Sequence, residues 1–538
     1  MKSRVLPIGI QSFSKIRCKN YLYVDKTEFI YKLASEAGIY FLSRPRRFGK
    51  SLLISTLEAY LSGQKELFNG LKIKKLEEEN PTGENGAWTP SPVIKMDFNA
   101  GNYDSADGLR EKISELLFSY EKIWGKEKEI KSLEGRFISL IQTMYKKTGL
   151  RVAVLIDEYD KPLLQNISNK KLNNEMRDIL KAFFGVLKSV DDYTRFVFIT
   201  GVTKFSHVSI FSDLNQLRDI SLLAEYNDIC GMTMNEIESV FLPEIENLAK
   251  RNKLTVKEVK QKLTQKYDGY KFTGFIDEVN GIFNPFSILN CLTDLEFENY
   301  WFKTGTPSFL VEMMDKTNFD VRKLANGVER DESVFDSYRA DQDDIVPLFY
   351  QSGYFTIKDY DSMFNIYTLA VPNVEVEYGL YESLYKYCLG KGRAEGKLEI
   401  RAFIKALMKA DIDTFINILK SLIATIPYDD TRKSDKAYTY EYTYKVAVFL
   451  IFTLVGQYIR SEVHTIKGRM DAVCETVDSV YIFEFKMADA PDGTADDAIK
   501  QIEDNGYDNP FKASNKQIYK LGVVFDSKER NIVEWKVK

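Results

Sequence analysis

The sequence predicts an α/β chain of several domains, and three features of its first half carry that prediction. The first is Ile39-Tyr40-Phe41-Leu42, which leads through Arg44-Pro45-Arg46-Arg47-Phe48-Gly49-Lys50-Ser51 into Leu52-Leu53-Ile54-Ser55-Thr56-Leu57. Strand, tight loop and helix in that order is the geometry a phosphate-binding loop needs. The second is Arg151-Val152-Ala153-Val154-Leu155-Ile156, an apolar run without alternation that ends in Asp157-Glu158. Such a run fits a strand buried on both faces of a parallel sheet. The third is a pair of further strands, Val93 to Phe98 and Arg195 to Ile199, the latter ending at Thr200-Gly201 with Lys204 beyond.

Each element has a chemical reading. In a phosphate-binding loop the backbone N–H groups of Arg46, Arg47, Phe48, Gly49, Lys50, Ser51 and Leu52 wrap the phosphates of ATP at a helix N-terminus. Lys50 reaches the outer phosphates and Ser51 holds Mg²⁺. The full pattern G-x-x-x-x-G-K-[ST] would place its first glycine at Arg44, so the loop departs from it there. Taken alone, GKS is equally compatible with a structural turn. Asp157-Glu158 reads as a Walker B strand end, where Asp157 holds Mg²⁺ through water and Glu158 polarises the attacking water. Its plain alternative is an acidic strand end capping the next helix. Thr200 is placed as a polar sensor beside the γ-phosphate, or is simply a threonine at a strand end. The first half is best accounted for as a parallel P-loop NTPase sheet.

Composition sets the frame. At 538 residues the chain exceeds one ordinary core. Hydrophobic content of 44% and charged content of 28% are those of a soluble globular protein. The longest apolar runs, such as Val446 to Phe452, fall short of the roughly 20 residues a membrane span requires. The start, Met1-Lys2-Ser3-Arg4, carries no secretory pattern, and a cytoplasmic location is expected. Cys18, Cys230, Cys291, Cys388 and Cys474 form no C-x-x-C pair, which argues against a zinc site or a disulfide scaffold. With only His207 and His464, histidine-rich metal centres and Ser/His/Asp catalysis are disfavoured, so any metal rests on carboxylates: Mg²⁺, or Mn²⁺ in its place. The net charge of −4 supplies no global attraction to nucleic acid.

A second chemistry is expected after Ile426-Pro427-Tyr428-Asp429-Asp430. The pattern reads as a helix from Glu441 to Gly456, a strand from Tyr458 to Thr465, a turn at Lys467-Gly468 and a strand from Arg469 to Cys474. A strand from Val480 to Lys486, a helix from about Ala495 to Gly506 and a strand from Tyr519 to Phe525 follow. On that framework twelve residues separate Asp471 from Glu484, enough for a hairpin that sets the carboxylates side by side. Period two puts Glu484 and Lys486 on one face. Phosphodiester hydrolysis needs this set: Asp471 and Glu484, with the Phe485 carbonyl, hold Mg²⁺, while Lys486 positions water or offsets phosphate charge. The alternative is an ordinary cross-strand ion pair. The apolar strand around Glu484 argues against a casual surface charge. Glu441 and Glu462 could add a carboxylate and Gln501 could steady the site, each weighed against a structural role.

In combination these segments are recognisable. The chain resembles the bacterial family of AAA-ATPase-like proteins that carry a C-terminal PD-(D/E)XK nuclease domain. The resemblance rests on LPIGIQSFSKIR, YLYVDKTEFI, RPRRFGKS, LIDEYDKPL, ITGVTKFSHVSIFSDLN, YDGYKF, NPFSIL, YWFKTGTPSFL, LFYQSGYFTIK, GRMDAVCETVDSVYIFEFK and AIKQIEDNGY, and spans nearly the whole chain. Arg44 looks like a family habit, and Met470 replaces a proline often absent from the wider nuclease superfamily. The resemblance implies a P-loop domain over residues 1–231, a helical lid over 232–330, a winged-helix-like connector over 331–425 and a restriction-endonuclease-like α/β domain over 426–538. Its site residues carry over to Lys50, Ser51, Asp157 and Glu158, and to Asp471, Glu484 and Lys486. The residues agree: 232–330 is helical in pattern, and Phe349 to Ile357 with Asn365 to Val371 offers a two-stranded wing. Its acidic neighbours Asp359, Asp361, Glu375 and Glu377 favour packing over DNA contact.

Two functions follow from the sequence. In one, ATP binding or hydrolysis controls Mg²⁺-dependent cleavage of nucleic acid, with DNA the expected substrate and RNA left open, in defence against foreign nucleic acid. In the other, the chain is a nucleotide-dependent switch whose last domain binds nucleic acid or a partner without cutting. A homo-oligomer is left open, with Arg195 and Arg218 as candidates for an arginine lent to a neighbouring copy or as plain salt-bridge partners.

Overall fold

Strand Val152–Asp157 is buried at every position and strand Thr194–Gly201 likewise, which places both in the middle of a sheet. In the computed structural model, which describes residues 5–36, 38–83, 85–204, 210–211, 214–275, 277, 279–301, 314, 327–335, 344–389, 393–424, 471–476, 478–512, 516–526, 528–529 and 531–538, these are β3 and β4 of a five-stranded parallel sheet. The others are β1 (Gly38–Ser43), β2 (Val93–Asp97) and β5 (Leu217–Asp219), in the order β2-β3-β4-β1-β5. The register pairs Asp97 with Asp157, Ile156 with Ile199, and Ser43 with Gly201. The carboxyl ends of four strands are therefore level. The loop after β1, Asp157 and Thr200 emerge along one edge, where open α/β sheets bind ligands.

The chain divides into two compact units, residues 1–305 with 323–376, and residues 306–322 with 377–538. In the first, the helices Met234–Asn252, Val256–Tyr267 and Pro285–Asp294 bury Ile237, Phe241, Leu248, Leu263 and Ile288 against one another. The first two helices open on capping boxes, Thr233 with Glu236 and Thr255 with Glu258, which fix their starts. The helical reading from residue 232 onward is met as far as 294.

The expected two-stranded wing needs correction. Phe349 to Ser352 belongs to the helix Val346–Ser352, which ends at Gly353 with φ +88. Only after Phe355 do strands form: β7 (Thr356–Asp361) and β8 (Ile366–Ala370), with β6 (Val328–Asp331), make an antiparallel sheet in the order β6-β8-β7. Val346 to Gln351 is buried on every side, and a short wholly buried run carries no period to tell helix from strand. Glu375 has the packing role expected of it: it is buried and accepts the N–H groups of Tyr300 and Trp301 and the hydroxyl of Ser287.

In the second unit β9 (Ala472–Glu475), β10 (Ser479–Met487), β11 (Gln517–Asp526) and β12 (Asn531–Val537) form a sheet ordered β12-β11-β10-β9. The outer pairs are antiparallel. The β10–β11 pair is parallel, and the helix Ala495–Asp504 lies between them in the chain and packs on both. The strand β12 is additional to the expected order. On the other side, Phe415 of the helix Ile412–Ala424 meets Phe483, and the Tyr481 hydroxyl donates to the Leu407 carbonyl at 2.6 Å. The helix Glu441 to Gly456, the strand Tyr458 to Thr465, the turn at Lys467-Gly468, Glu441, Glu462, His207 and His464 lie outside the described residues.

Gly522 lets the crossover helix approach β11 closely. A Cβ there would meet the Ala495 carbonyl oxygen at 2.4 Å and the Ala498 Cβ at 2.9 Å. Gly522→Ala is expected to cost about 1–3 kcal/mol by overpacking, read as a lowered midpoint of thermal unfolding.

Candidate functional site

The loop after β1 is built around the residue that departs from the usual pattern. Arg44 is 2% exposed, and its guanidinium donates to the carbonyls of Ser43 (2.9 Å), Ser221 (2.8 Å) and Tyr226 (2.8 Å). It also stacks over the Phe272 ring at 4.1 Å. Burial lowers its pKa, against the nearby acidic groups. The side chain thus points into the protein and ties the foot of the loop to segments far along the chain. Arg47, at φ +69, stacks over Phe286 at 4.1 Å and donates to the Trp301 carbonyl at 3.2 Å. Phe48 is fully buried against Tyr270 and Phe272, and its carbonyl accepts the Gly231 N–H at 3.0 Å. Side-chain packing rather than a first glycine holds this loop.

Above the loop, Gly49 at φ +99 opens the helix Lys50–Leu61 without a side-chain cap. The first-turn N–H groups therefore have no capping side chain in place of a phosphate. A cavity of about 480 Å³ lies there, lined by Arg46 to Leu53, Asn99, Glu158, Lys161, Ile229 to Met232 and Phe286, with Pro7 and Gly9 to Gln11 of the N-terminal segment. Lys50 is buried, and its ammonium donates to the loop's own carbonyls at Arg44 (2.8 Å) and Pro45 (3.1 Å). Burial lowers its pKa, against the opposing charges of Glu158 and Asp157. Burial likewise raises the Glu158 carboxyl, against the nearby Lys50 ammonium. Asp157 is buried and accepts the Thr200 hydroxyl at 2.8 Å. Arg46 to Leu52 and Glu158 line that cavity, whereas Asp157 and Thr200, buried at the ends of β3 and β4, do not. Arg195 and Arg218 are engaged within the same unit: Arg195 donates to the Thr82 carbonyl and Ser91, and Arg218 pairs with Glu36 and Glu225.

The second cluster lies at the end of β10. Its register with β9 pairs Phe483 with Ala472, and one step further sets Asp471 opposite Glu484. Asp471 is exposed just before β9, and its Oδ2 accepts the Phe485 N–H at 2.9 Å. Glu484 is 4% exposed; Gln501 donates to its Oε1, while its Oε2 has no hydrogen-bond partner among the described residues. Burial, followed by the Asp471 charge, pushes the Glu484 carboxyl up to about 8, with Lys486 opposing. Lys486 donates to Gln501 Oε1 at 2.6 Å and pairs with Asp492. Gln501 thus bridges the carboxylate and the ammonium, the steadying role considered for it. Asp492 was not expected; it sits in the turn Pro491-Asp492-Gly493, which carries no signal beyond a turn.

An unpaired, buried carboxylate oxygen facing a second carboxylate is what a divalent cation would satisfy. The donor set fits Mg²⁺ or Mn²⁺: two carboxylates on adjacent strands and a nearby backbone carbonyl, all hard oxygen ligands. Among the described residues there is no cluster of three or more His, Cys, Asp or Glu side chains able to hold a metal, so any third carboxylate lies elsewhere. No described helix is long and apolar enough to cross a membrane.

These features define a class of protein: a nucleotide-binding P-loop unit joined in one chain to an α/β unit of nuclease type. Residues 7–211 match the family described as a predicted AAA-ATPase, and residues 439–535 match the PD-(D/E)XK nuclease superfamily. The uncharacterised protein of the vnfD 5′ region of Azotobacter chroococcum mcd 1 is 34% identical over 542 residues, spanning 100% of this chain and 99% of that one. The solved structure of the Aeropyrum pernix Orc1 protein in complex with DNA shares 9% identity over 66% of this chain and 92% of its own, at a TM-score of 0.24, too low to carry an argument. The chain belongs to the family of AAA-ATPase-like proteins with a C-terminal PD-(D/E)XK nuclease domain.

Two outcomes are expected from this geometry. Arg44→Gly, which restores the usual loop pattern, strips three carbonyls of a buried charged donor. It should cost roughly 3 kcal/mol or more and bring no gain in nucleotide affinity, as read by thermal unfolding and nucleotide titration. For Glu484 the folded pKa lies above the ordinary 4.5, so the folded state holds the proton more tightly. Its contribution to stability is complete below about 4.5 and is lost as pH rises through about 8. In metal-free protein Glu484→Gln should therefore unfold at a higher temperature than the unaltered chain above pH 8, with the difference shrinking toward pH 5.

Proposed function

We propose that ATP, bound by the loop Arg46 to Leu52 and hydrolysed with the help of Glu158, controls metal-dependent cleavage of nucleic acid at Asp471, Glu484 and Lys486. The observation that carries this reading is Glu484: a buried carboxylate with one oxygen unpaired, set opposite Asp471 and beside Lys486. A purely structural ion pair leaves no such oxygen. In our reading the substrate is DNA in preference to RNA, the setting is the cytoplasm and the purpose is defence against foreign nucleic acid. The domain boundaries we assign fall at residues 231, 330 and 425.

At the nucleotide site, Ser51 and Asp157 are the residues that would hold Mg²⁺. The loop N–H groups bind the phosphates and the Lys50 ammonium turns from its own loop carbonyls to the outer phosphates. Glu158 orients and deprotonates water, and the opposing pull of burial and Lys50 on its carboxyl suits a base. At the second site Asp471, Glu484 and the Phe485 carbonyl would hold Mg²⁺ or Mn²⁺. That ion supplies Lewis-acid activation of water and neutralises phosphate charge. Lys486, steadied by Gln501, offsets the charge that builds on the phosphate.

A second reading has one observation in its favour. Lys50 is satisfied by its own loop, so the site can rest without a phosphate, as a binding switch without turnover would. ATP turnover that Glu158→Gln lowers by about a hundredfold or more excludes that reading.

Lys50→Ala is expected to weaken ATP binding by about tenfold or more, since it removes a charge-assisted contact. Asp471→Ala should abolish cleavage and leave the ATP dissociation constant unchanged. The nuclease reading fails if protein with Mg²⁺ or Mn²⁺ cuts no linear, circular or single-stranded DNA and no RNA, and Asp471→Ala alters nothing measured.

A further inference from the structure

The turn that follows β3 holds a third acid that the chemistry above does not use. Asp160 is fully buried. Its Oδ2 accepts three hydrogen bonds from the segment beyond β4: the N–H groups of Val202 (2.9 Å) and Thr203 (2.6 Å) and the hydroxyl of Thr203 (2.6 Å). Its Oδ1 has no hydrogen-bond partner among the described residues and lies against Gly201, where a Cβ would meet it at 2.8 Å and the Tyr159 ring at 2.6 Å. The plain role for an aspartate at this position is to cap the helix Lys161–Gln165. Asp160 stands at that cap position, but its side chain makes no capping hydrogen bond. Its hydrogen bonds, all through Oδ2, run across the sheet instead.

Neighbouring bonds run the same way. Tyr159 donates at both ends, its N–H to the Thr200 carbonyl at 3.1 Å and its hydroxyl to the Thr203 carbonyl at 3.0 Å. Asp157 is held by the Thr200 hydroxyl. The turn 157–160 is therefore stitched to residues 200–203 at every residue but one. That one is Glu158, which sits at φ +52, a left-handed conformation unfavourable for a residue with a Cβ. Such a conformation persists where the surroundings over-determine it, and here both flanks are fixed. Its consequence is directional: Asp157, Tyr159 and Asp160 are buried beneath the sheet end, while Glu158 alone lines the cavity with Lys50 and Ser51.

We propose that Asp160, through its bonds to Val202 and Thr203, is a positioning residue that holds Glu158 in the left-handed conformation aimed at the nucleotide phosphates. The inference rests on the nucleotide reading above and adds to it the residue that sets the base. Asp160 works through its acceptor oxygen and shape, and its charge is not required.

The test is steady-state ATP turnover with ATP binding measured in parallel. Asp160→Ala should lower kcat by about a hundredfold, the scale of a misplaced catalytic group, while the dissociation constant for ATP stays within about threefold. Asp160→Asn keeps the acceptor and should retain kcat within about tenfold of the unaltered chain. In a Glu158→Gln background, Asp160→Ala should slow turnover no further, because both changes act on one group. The proposal is overturned if Asp160→Ala leaves kcat unchanged, if affinity falls in step with kcat, if Asn proves as damaging as Ala, or if the double variant falls further. Should Asp160→Ala fail to fold, Gly201→Ala presses on the same contact with the carboxylate in place and is read by the same criteria. Absence of turnover in the unaltered chain sinks hydrolysis alone. The clamp is then read from the ratio of dissociation constants for ADP and a slowly hydrolysed ATP analogue. A ratio that Asp160→Ala moves toward one supports it, and an unchanged ratio overturns it.

Discussion

Burial of the sheet's central strands is the constraint on which the rest of the first unit depends. Because β3 and β4 are sealed along their whole length, any polar group at their ends leaves water and must find partners within the protein. Arg44 finds three carbonyls and a ring face, Lys50 finds two carbonyls, and Asp157 finds Thr200. Asp160 finds Val202 and Thr203, and Lys204 pairs with Asp219 at 2.7 Å. Except for Lys50, which stays within its own loop, each group reaches from one strand end to another. The edge where phosphates would dock is thereby a set of mutually dependent contacts, so the loop can dispense with its first glycine and still have a defined shape.

This explains what was legible in the sequence. Strands β3 and β4 could be read because buried parallel strands leave an unbroken apolar signature, and the Lys50–Ser51 and Asp157–Glu158 pairs could be read because they follow the apolar runs of β1 and β3. The Asp471–Glu484 pairing followed from spacing, since period two and a short hairpin leave few registers. Other features depend on distant partners. The role of Arg44 requires Ser221, Tyr226 and Phe272, none within 170 residues of it in the chain. A clue was present all the same: the largest cation in a loop where glycine is usual implies a place for its side chain. Phe349 to Ser352 was misread as strand because the helix that holds it is buried from Val346 to Gln351 and shows no exposed stripe to reveal its period. For Asp160, the sequence Asp-Glu-Tyr-Asp shows a second acid in one turn but not which way it faces.

Backbone strain and desolvation act together in that turn. A left-handed Glu158 is unfavourable in isolation, and a buried carboxylate is unfavourable unless hydrogen-bonded. Asp160 is stabilised by donors on the segment beyond β4, and Tyr159, the residue that Glu158 precedes, donates to the Thr200 and Thr203 carbonyls of that same segment. One set of bonds therefore offsets two local penalties, and neither segment can shift without releasing the other. The polar end of β4 and the acidic end of β3 behave as a single element.

The two candidate sites resolve the same constraint in opposite ways. At the nucleotide loop the polar groups are compensated from within: Lys50 rests on its own loop carbonyls, so the site is stable as it stands and ligand must compete with contacts already made. At β10 the compensation is incomplete. Gln501 satisfies one oxygen of Glu484 and leaves the other buried beside Asp471, and the carboxyl responds by holding its proton to about pH 8. A divalent cation would replace that proton and remove the repulsion between the two carboxylates in one event. The second site is thus electrostatically unfinished in a way the first is not, which is why the argument for chemistry is carried by Glu484, whereas the loop at Arg44 to Ser51 carries the argument for control.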